Sequence, residues 1–258
     1  MTEILFFGTC AGTEPIPDMQ HTSFALKIND VYYWFDAGEN CSRTAHLMGV
    51  DLLKVKSVFI SHPHMDHIGG LGNLLWNIRK LSYVRDSNPI EDKVHLFTPD
   101  NEISDSIMNI LKRSEKGFAC NFEIITHRIN DGLIYKDENI TVYAFHNHHL
   151  SAEEPDDGWH SFSFRIESSE KSIVFSGDVR DFDDLDSCIG EGCDCLLMET
   201  GHHKISDVCS YADAHNVKKL IFVHNGRHII NDRVGALKET SACCCEVIIS
   251  SDKQIVTI

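Results

Sequence analysis

His62-Pro63-His64-Met65-Asp66-His67 decides the reading of this chain. Before it, Val58-Phe59-Ile60-Ser61 is apolar and β-prone, as a buried strand should be. After it, Gly69-Gly70 leads into Leu71, Leu74, Leu75 and Ile78, the spacing of a buried helix face. The run therefore lies on a strand-to-helix turn. Its three imidazoles and one carboxylate can point into one small volume, a donor density that belongs to metal binding. Alternation divides them: His62 and His64 can face one ion while Asp66 and His67 face a second. A histidine-rich surface turn is the plain alternative. Four ligating side chains in six positions behind a hydrophobic strand rarely arise by chance.

The bulk composition restricts the class. The chain has 258 residues, 42% hydrophobic and 24% charged, which is ordinary for a globular protein with a sizeable core. It holds no run of 18 apolar residues, so no membrane span is expected. The start, Met1-Thr2-Glu3-Ile4-Leu5-Phe6-Phe7, lacks a basic region before its apolar stretch, so a cytoplasmic location is expected and a secretory signal is not. Ten cysteines do not form a disulfide pattern: Cys243-Cys244-Cys245 are consecutive, and Cys188, Cys193 and Cys195 are bunched. Free thiols are the better reading, and Cys193 with Cys195 is not read as a metal site. The formal net charge is −16. Nucleic-acid affinity comes largely from neutralising phosphates, so this charge argues against tRNA as a partner and for a small-molecule substrate. A homodimer is left open.

Strands are predicted over 4–7, 23–28, 31–36, 58–61, 94–97, 123–128, 140–145, 161–166, 172–176, 195–198, 220–223, 246–249 and 254–258. Helices are predicted over 41–48, 72–81, 102–114, 206–216 and 232–241. Many strands with helices between some of them fit a layered α/β or α+β domain.

The H-x-H-x-D-H run resembles the signature of the metallo-β-lactamase-fold hydrolases. Phe7-Gly8-Thr9-Cys10-Ala11-Gly12 and Phe35-Asp36-Ala37-Gly38-Glu39 are similar to the first strand-loop and the aspartate turn of the tRNase Z and phosphodiesterase branch. The resemblance covers nearly the whole chain. It implies one domain over 1–258, an αββα sandwich of two mixed sheets with helices outside, and two divalent metal ions.

A two-metal centre needs ligands beyond one turn, and strand ends are rigid places for them. His146-Asn147-His148-His149 follows one predicted strand, and one of its imidazoles should complete the first ion's coordination. The family register selects His149, with His148 as the alternative. Ser176-Gly177-Asp178 follows another strand, and in the family such an aspartate bridges the ions. His224 ends the strand Leu220-Ile221-Phe222-Val223, and by family match it is a ligand of the second ion. The implied set is His62, His64 and His149 on one ion, Asp66, His67 and His224 on the other, and Asp178 between. These nitrogen and oxygen donors favour Zn²⁺, with Mn²⁺ or Fe²⁺ as alternatives. Asp36 resembles the aspartate that orients a ligating imidazole.

The reaction implied is hydrolysis by a metal-activated water. Catalytic candidates are Asp66 and, after the predicted strand 195–198 and Glu199-Thr200, His202 or His203: the resemblance to the tRNase Z branch implies a histidine near this place that assists the leaving group, and an imidazole suits a departing alkoxide. Arg227 is a candidate grip on a substrate phosphate. Trp159, in the acidic stretch 151–160, is a candidate stacking surface for a substrate. A small phosphodiester or nucleotide is the favoured substrate, a thioester or lactone the alternative, and a weakly catalytic metal-dependent sensor the third reading.

Overall fold

The computed structural model describes residues 2–258. The strands, in chain order, are β1 (Thr2–Gly8), β2 (Ser23–Ile28), β3 (Val31–Phe35), β4 (Val55–Phe59), β5 (Lys93–Thr98), β6 (Glu123–Arg128), β7 (Gly132–Lys136), β8 (Ile140–His146), β9 (Phe162–Ser168), β10 (Ser172–Phe175), β11 (Cys195–Glu199), β12 (Lys219–Val223), β13 (Glu246–Ile249) and β14 (Ile255–Thr257). They form two seven-stranded sheets among the described residues, ordered β14-β1-β2-β3-β4-β5-β6 and β13-β12-β11-β10-β9-β8-β7. The backbone falls into two compact units. The first holds β1, Pro15–Ile129 and Ser251–Thr257; the second holds Thr9–Glu14 and Asn130–Ser250. Two mixed sheets, each with helices packed against it, are the α/β class that the sequence predicts.

In the first unit, β1 to β3 are antiparallel, and β3 to β6 run parallel. Strands buried on both faces read as continuous apolar runs, which is why the pattern around Phe59 does not alternate. Trp34, Val58 and Leu96 pack against Ala45 of the helix Cys41–Leu47 and against Leu71, Leu74, Leu75 and Ile78 of the helix Leu71–Arg85. Phe24, Phe35, Phe59 and Phe97 form a ladder of stacked rings with centroids 5.3, 4.9 and 4.8 Å apart. Offset stacking of this kind adds about 0.5–1.5 kcal/mol per pair beyond burial.

In the second unit, β10, β11, β12 and β13 are parallel, while β9 is antiparallel to β8 and β10. Leu196, Met198, Leu220 and Phe222 pack with Ile205, Val208 and Ala212 of the helix Ile205–Ala214. Two elements depart from the sequence reading. The helix predicted over 232–241 is present as Arg233–Glu239, and a short helix that the sequence reading did not give, Arg227–Asn231, precedes it. They break at Asp232, whose side chain accepts from Gly235 N at 2.8 Å as an N-cap. β7 is an edge strand that opens at Gly132 with φ 96°, and its half-exposed residues give no clear period. No helix of the described residues is long and apolar enough to cross a membrane.

Asp194 joins the starts of three neighbouring strands. It accepts from Ser172 N at 2.9 Å, Ser172 Oγ at 3.2 Å and Lys218 Nζ at 2.9 Å. The Ser172 backbone bond and the Lys218 ammonium pull its carboxyl from 3.8 down to about 2. A depressed native pKa stabilises the fold above the unfolded value, and that stabilisation is lost as pH falls through the native one. Asp194→Asn should therefore cost about 1–2 kcal/mol at neutral pH. In urea unfolding, the gap to wild type should close as pH falls from about 5 to about 2; a gap independent of pH would refute the assignment.

Candidate metal centre

In the first unit the parallel neighbours β3 and β4 end side by side, so Asp36 and Ser61-His62 leave the sheet at one edge. Asp36 is fully buried. Its Oδ1 accepts from Ser61 N at 2.7 Å; its Oδ2 accepts from Ser61 Oγ at 2.8 Å and lies 2.6 Å from His67 Nδ1. With Nδ1 engaged by this carboxylate, Nε2 is the nitrogen His67 has for a metal. The His62 ring lies 4.1 Å from that of His67 and 4.6 Å from that of His64, and His67 Nε2 lies 3.4 Å from Asp66 Oδ2. The four donors of the opening motif are thus gathered, with Asp36 behind them. A Cβ on Gly38 would stand 2.5 Å from the Asp66 carbonyl oxygen, so only glycine lets these two loops touch. Asp36 itself has φ 51°, in the left-handed region that aspartate tolerates better than most residues.

In the second unit, β8, β10, β11 and β12 all point the same way, and past their C-terminal ends stand His149, Asp178, His202 and His224. Asp178 is buried; its Oδ2 lies 3.4 Å from His224 Nε2, 3.7 Å from His149 Nε2 and 3.9 Å from His202 Nδ1. One carboxylate oxygen ringed by imidazole nitrogens is a donor set that fits a divalent cation. Asp178, Glu199, His202 and His224 each offer an atom within 4.8 Å of the others. Of the two adjacent histidines, His149 is the one that faces Asp178. His148 turns to Asp184, which pairs with its Nδ1 and accepts from its backbone N at 3.2 Å.

Glu199 is the residue that sequence reasoning missed. It closes the apolar strand Cys195-Leu196-Leu197-Met198-Glu199 and is fully buried. It accepts from His202 N at 3.1 Å, lies 2.9 Å from His202 Nδ1, 3.4 Å from His203 Nε2 and 3.7 Å from His224 Nδ1. Burial pushes its carboxyl up, but hydrogen bonds from His202, His203 and His224 outweigh it and hold the group well below the usual carboxylate range. The Glu199 hydrogen bond in turn raises the His202 pKa. The His203 pKa is raised too, with burial opposing and Glu199 prevailing. The signal available in sequence was a carboxylate ending an otherwise apolar strand.

The two catalytic candidates separate here. The His202 side chain is 46% exposed and that of His203 only 11%. His203 turns to the Val179 carbonyl, 3.2 Å away, and to the ring of Phe182. His202 lines a cavity of about 320 Å³ with His148, His149, Leu150 and Arg180. Trp159 stacks on His146 at 4.3 Å and 10°, which anchors its loop. Arg227 is ion-paired with Glu14.

Residues 2–240 match the family described as Anti-Pycsar protein Apyc1. A ribonuclease Z from Pyrococcus furiosus is 29% identical over 154 residues, covering 58% of this chain and 45% of that protein. The chain thus spans about half the length of that curated relative. Among solved structures, the metallo-β-lactamase fold protein YhfI from Bacillus subtilis has a TM-score of 0.75 at 16% identity, covering 99% of this chain and 98% of its own. Human tRNase Z, short form, also has a TM-score of 0.75, at 20% identity and 99% coverage of both chains. The fold is therefore that of the metallo-β-lactamases. The ribonuclease Z and tRNase Z likenesses overturn the expectation that tRNA is an unfavoured partner. That expectation rested on a whole-chain charge, whereas phosphates are met by local fields, to which bound cations contribute most.

Two substitutions that remove none of the expected ligands should weaken metal binding. Asp36→Asn should do so about 10- to 100-fold by loosening His67. Gly201→Ala should act similarly, because its Cβ would stand 2.6 Å from His224 Nδ1. Titration calorimetry with Zn²⁺ checks both; wild-type affinity in both would refute these roles.

Proposed function

The chain belongs to the Anti-Pycsar protein Apyc1 family, and on that premise we propose that it is a metal-dependent phosphodiesterase acting on a small phosphodiester or nucleotide. The observation that carries this reading is His202, held by buried Glu199 at a cavity of about 320 Å³ with Arg180 on its wall. Small-molecule sites begin near that volume. Likeness to proteins named ribonuclease Z and tRNase Z supports phosphodiester chemistry.

In this reading 1–258 works as one hydrolase domain, and the ligand set is the one the resemblance implies: His62, His64 and His149, then Asp66, His67 and His224, with Asp178 shared. Zinc is the metal its nitrogen and oxygen donors favour, ahead of manganese or iron. Two such cations, when bound, supply an activated water and neutralise charge on the phosphate. The chain's own groups do the remaining work. Asp36 holds His67 by Nδ1. Glu199 engages His202 Nδ1, which leaves Nε2 to protonate the departing oxygen, and the buried carboxylate favours the imidazolium that performs this step. Arg180 stands where a guanidinium can meet a phosphate oxygen. A second reading, with RNA as the substrate, is favoured by the ribonuclease Z likeness.

The test pairs metal analysis by mass spectrometry with turnover of cyclic nucleotides, bis(p-nitrophenyl) phosphate, a tRNA precursor, an acyl thioester and a lactone. About two ions per chain and diester turnover are expected, both lost in Asp178→Ala. His202→Ala should keep its metal and lose about 10²–10⁴-fold in kcat. Turnover confined to the thioester or lactone would sink the phosphodiesterase reading, and cleavage of the tRNA precursor alone would move the substrate to RNA.

A further inference from the structure

A second group of donors lies in the second unit, made of sulfur instead of imidazole. Cys209 and Asp213 stand four residues apart on the helix Ile205–Ala214, so they share a face. Cys243 and Cys245 come from the loop that leads into β13. Cys243 Sγ is 3.5 Å from Cys245 Sγ and 3.6 Å from Asp213 Oδ1. Donor atoms of Asp213, Cys243 and Cys245 all lie within 4.8 Å of one another. Cys209, on the buried side, has its backbone carbonyl 3.9 Å from Cys243 Sγ. Asp213 also holds the loop in place, accepting from Cys244 N at 2.9 and 3.1 Å.

We propose that Asp213, Cys243 and Cys245 bind one zinc-class divalent cation, at a site distinct from the histidine and aspartate centre. The sulfurs converge without the separation of a disulfide, about 2 Å. Two sulfurs and one carboxylate make a donor set suited to a borderline-soft ion. Binding exchanges the thiol protons for the metal. The site draws its donors from both the helix Ile205–Ala214 and the loop before β13, which points to a structural role. It would clamp the loop before β13, the edge strand of its sheet, to the helix Ile205–Ala214.

Cobalt substitution separates this site from the other centre, whose expected donors include no sulfur. Reduced, chelator-treated full-length protein is titrated with Co²⁺ and followed by near-ultraviolet thiolate-to-cobalt charge-transfer absorption. The expected band saturates near about one Co²⁺ per chain and disappears when Zn²⁺ is added. It should persist in Asp178→Ala, vanish in Cys243→Ser, and need about tenfold more Co²⁺ in Asp213→Asn. Circular dichroism checks that each variant is folded. In the Asp178→Ala background, Zn²⁺ should raise Tm, and adding Cys243→Ser should abolish that rise. No band in fully reduced wild type, or a band that survives Cys243→Ser, overturns the proposal.

Discussion

Parallel pairing sets the position of nearly every group with chemical potential in this chain. Strands that run the same way finish at the same edge, so residues far apart in sequence become neighbours as soon as the ladders form. In the first unit this brings Asp36 against Ser61 and His67. In the second it brings His149, Asp178, Glu199 and His224 to one edge. The same geometry buries carboxylates: Asp36, Asp178 and Glu199 are all excluded from water. An uncompensated buried charge costs several kcal/mol. Each carboxylate is instead surrounded by imidazoles, a hydroxyl or backbone N–H groups, so within each unit the buried charge is compensated by its own neighbours.

This explains what could be read from the chain alone. The histidines of the opening motif were legible by their density behind an apolar strand, while family register selects His149, Asp178 and His224 from the polar stretches that mark strand ends. Asp36 was legible for the same reason. Glu199 was not, because its partner His224 reaches it only through tertiary packing, and a terminal glutamate on a strand is otherwise unremarked. Asp184, which turns His148 aside, lies 36 residues away and carries no local mark. The helix Arg227–Asn231 was not legible, because five residues are too few to show a helical period.

Charge was the least transferable sequence property. A net −16 describes the surface as a whole. It says little about a cavity with Arg180 on its wall and His202, whose pKa is raised by a buried glutamate. Composition limits solubility and long-range steering, while recognition depends on groups within a few ångströms of the ligand.

The backbone at His224 lies in the left-handed region, with φ 47°, as Asp36 does at 51°. Glycine would relax such a position, and asparagine would sit there more easily than most residues. At these two points, then, the residue that best suits the backbone and the residue that suits the chemistry are different. Drift under selection for stability alone would favour relaxing them, at a gain of about 1 kcal/mol each. Histidine and aspartate stay in such backbone only where their side chains do something that a more relaxed residue could not.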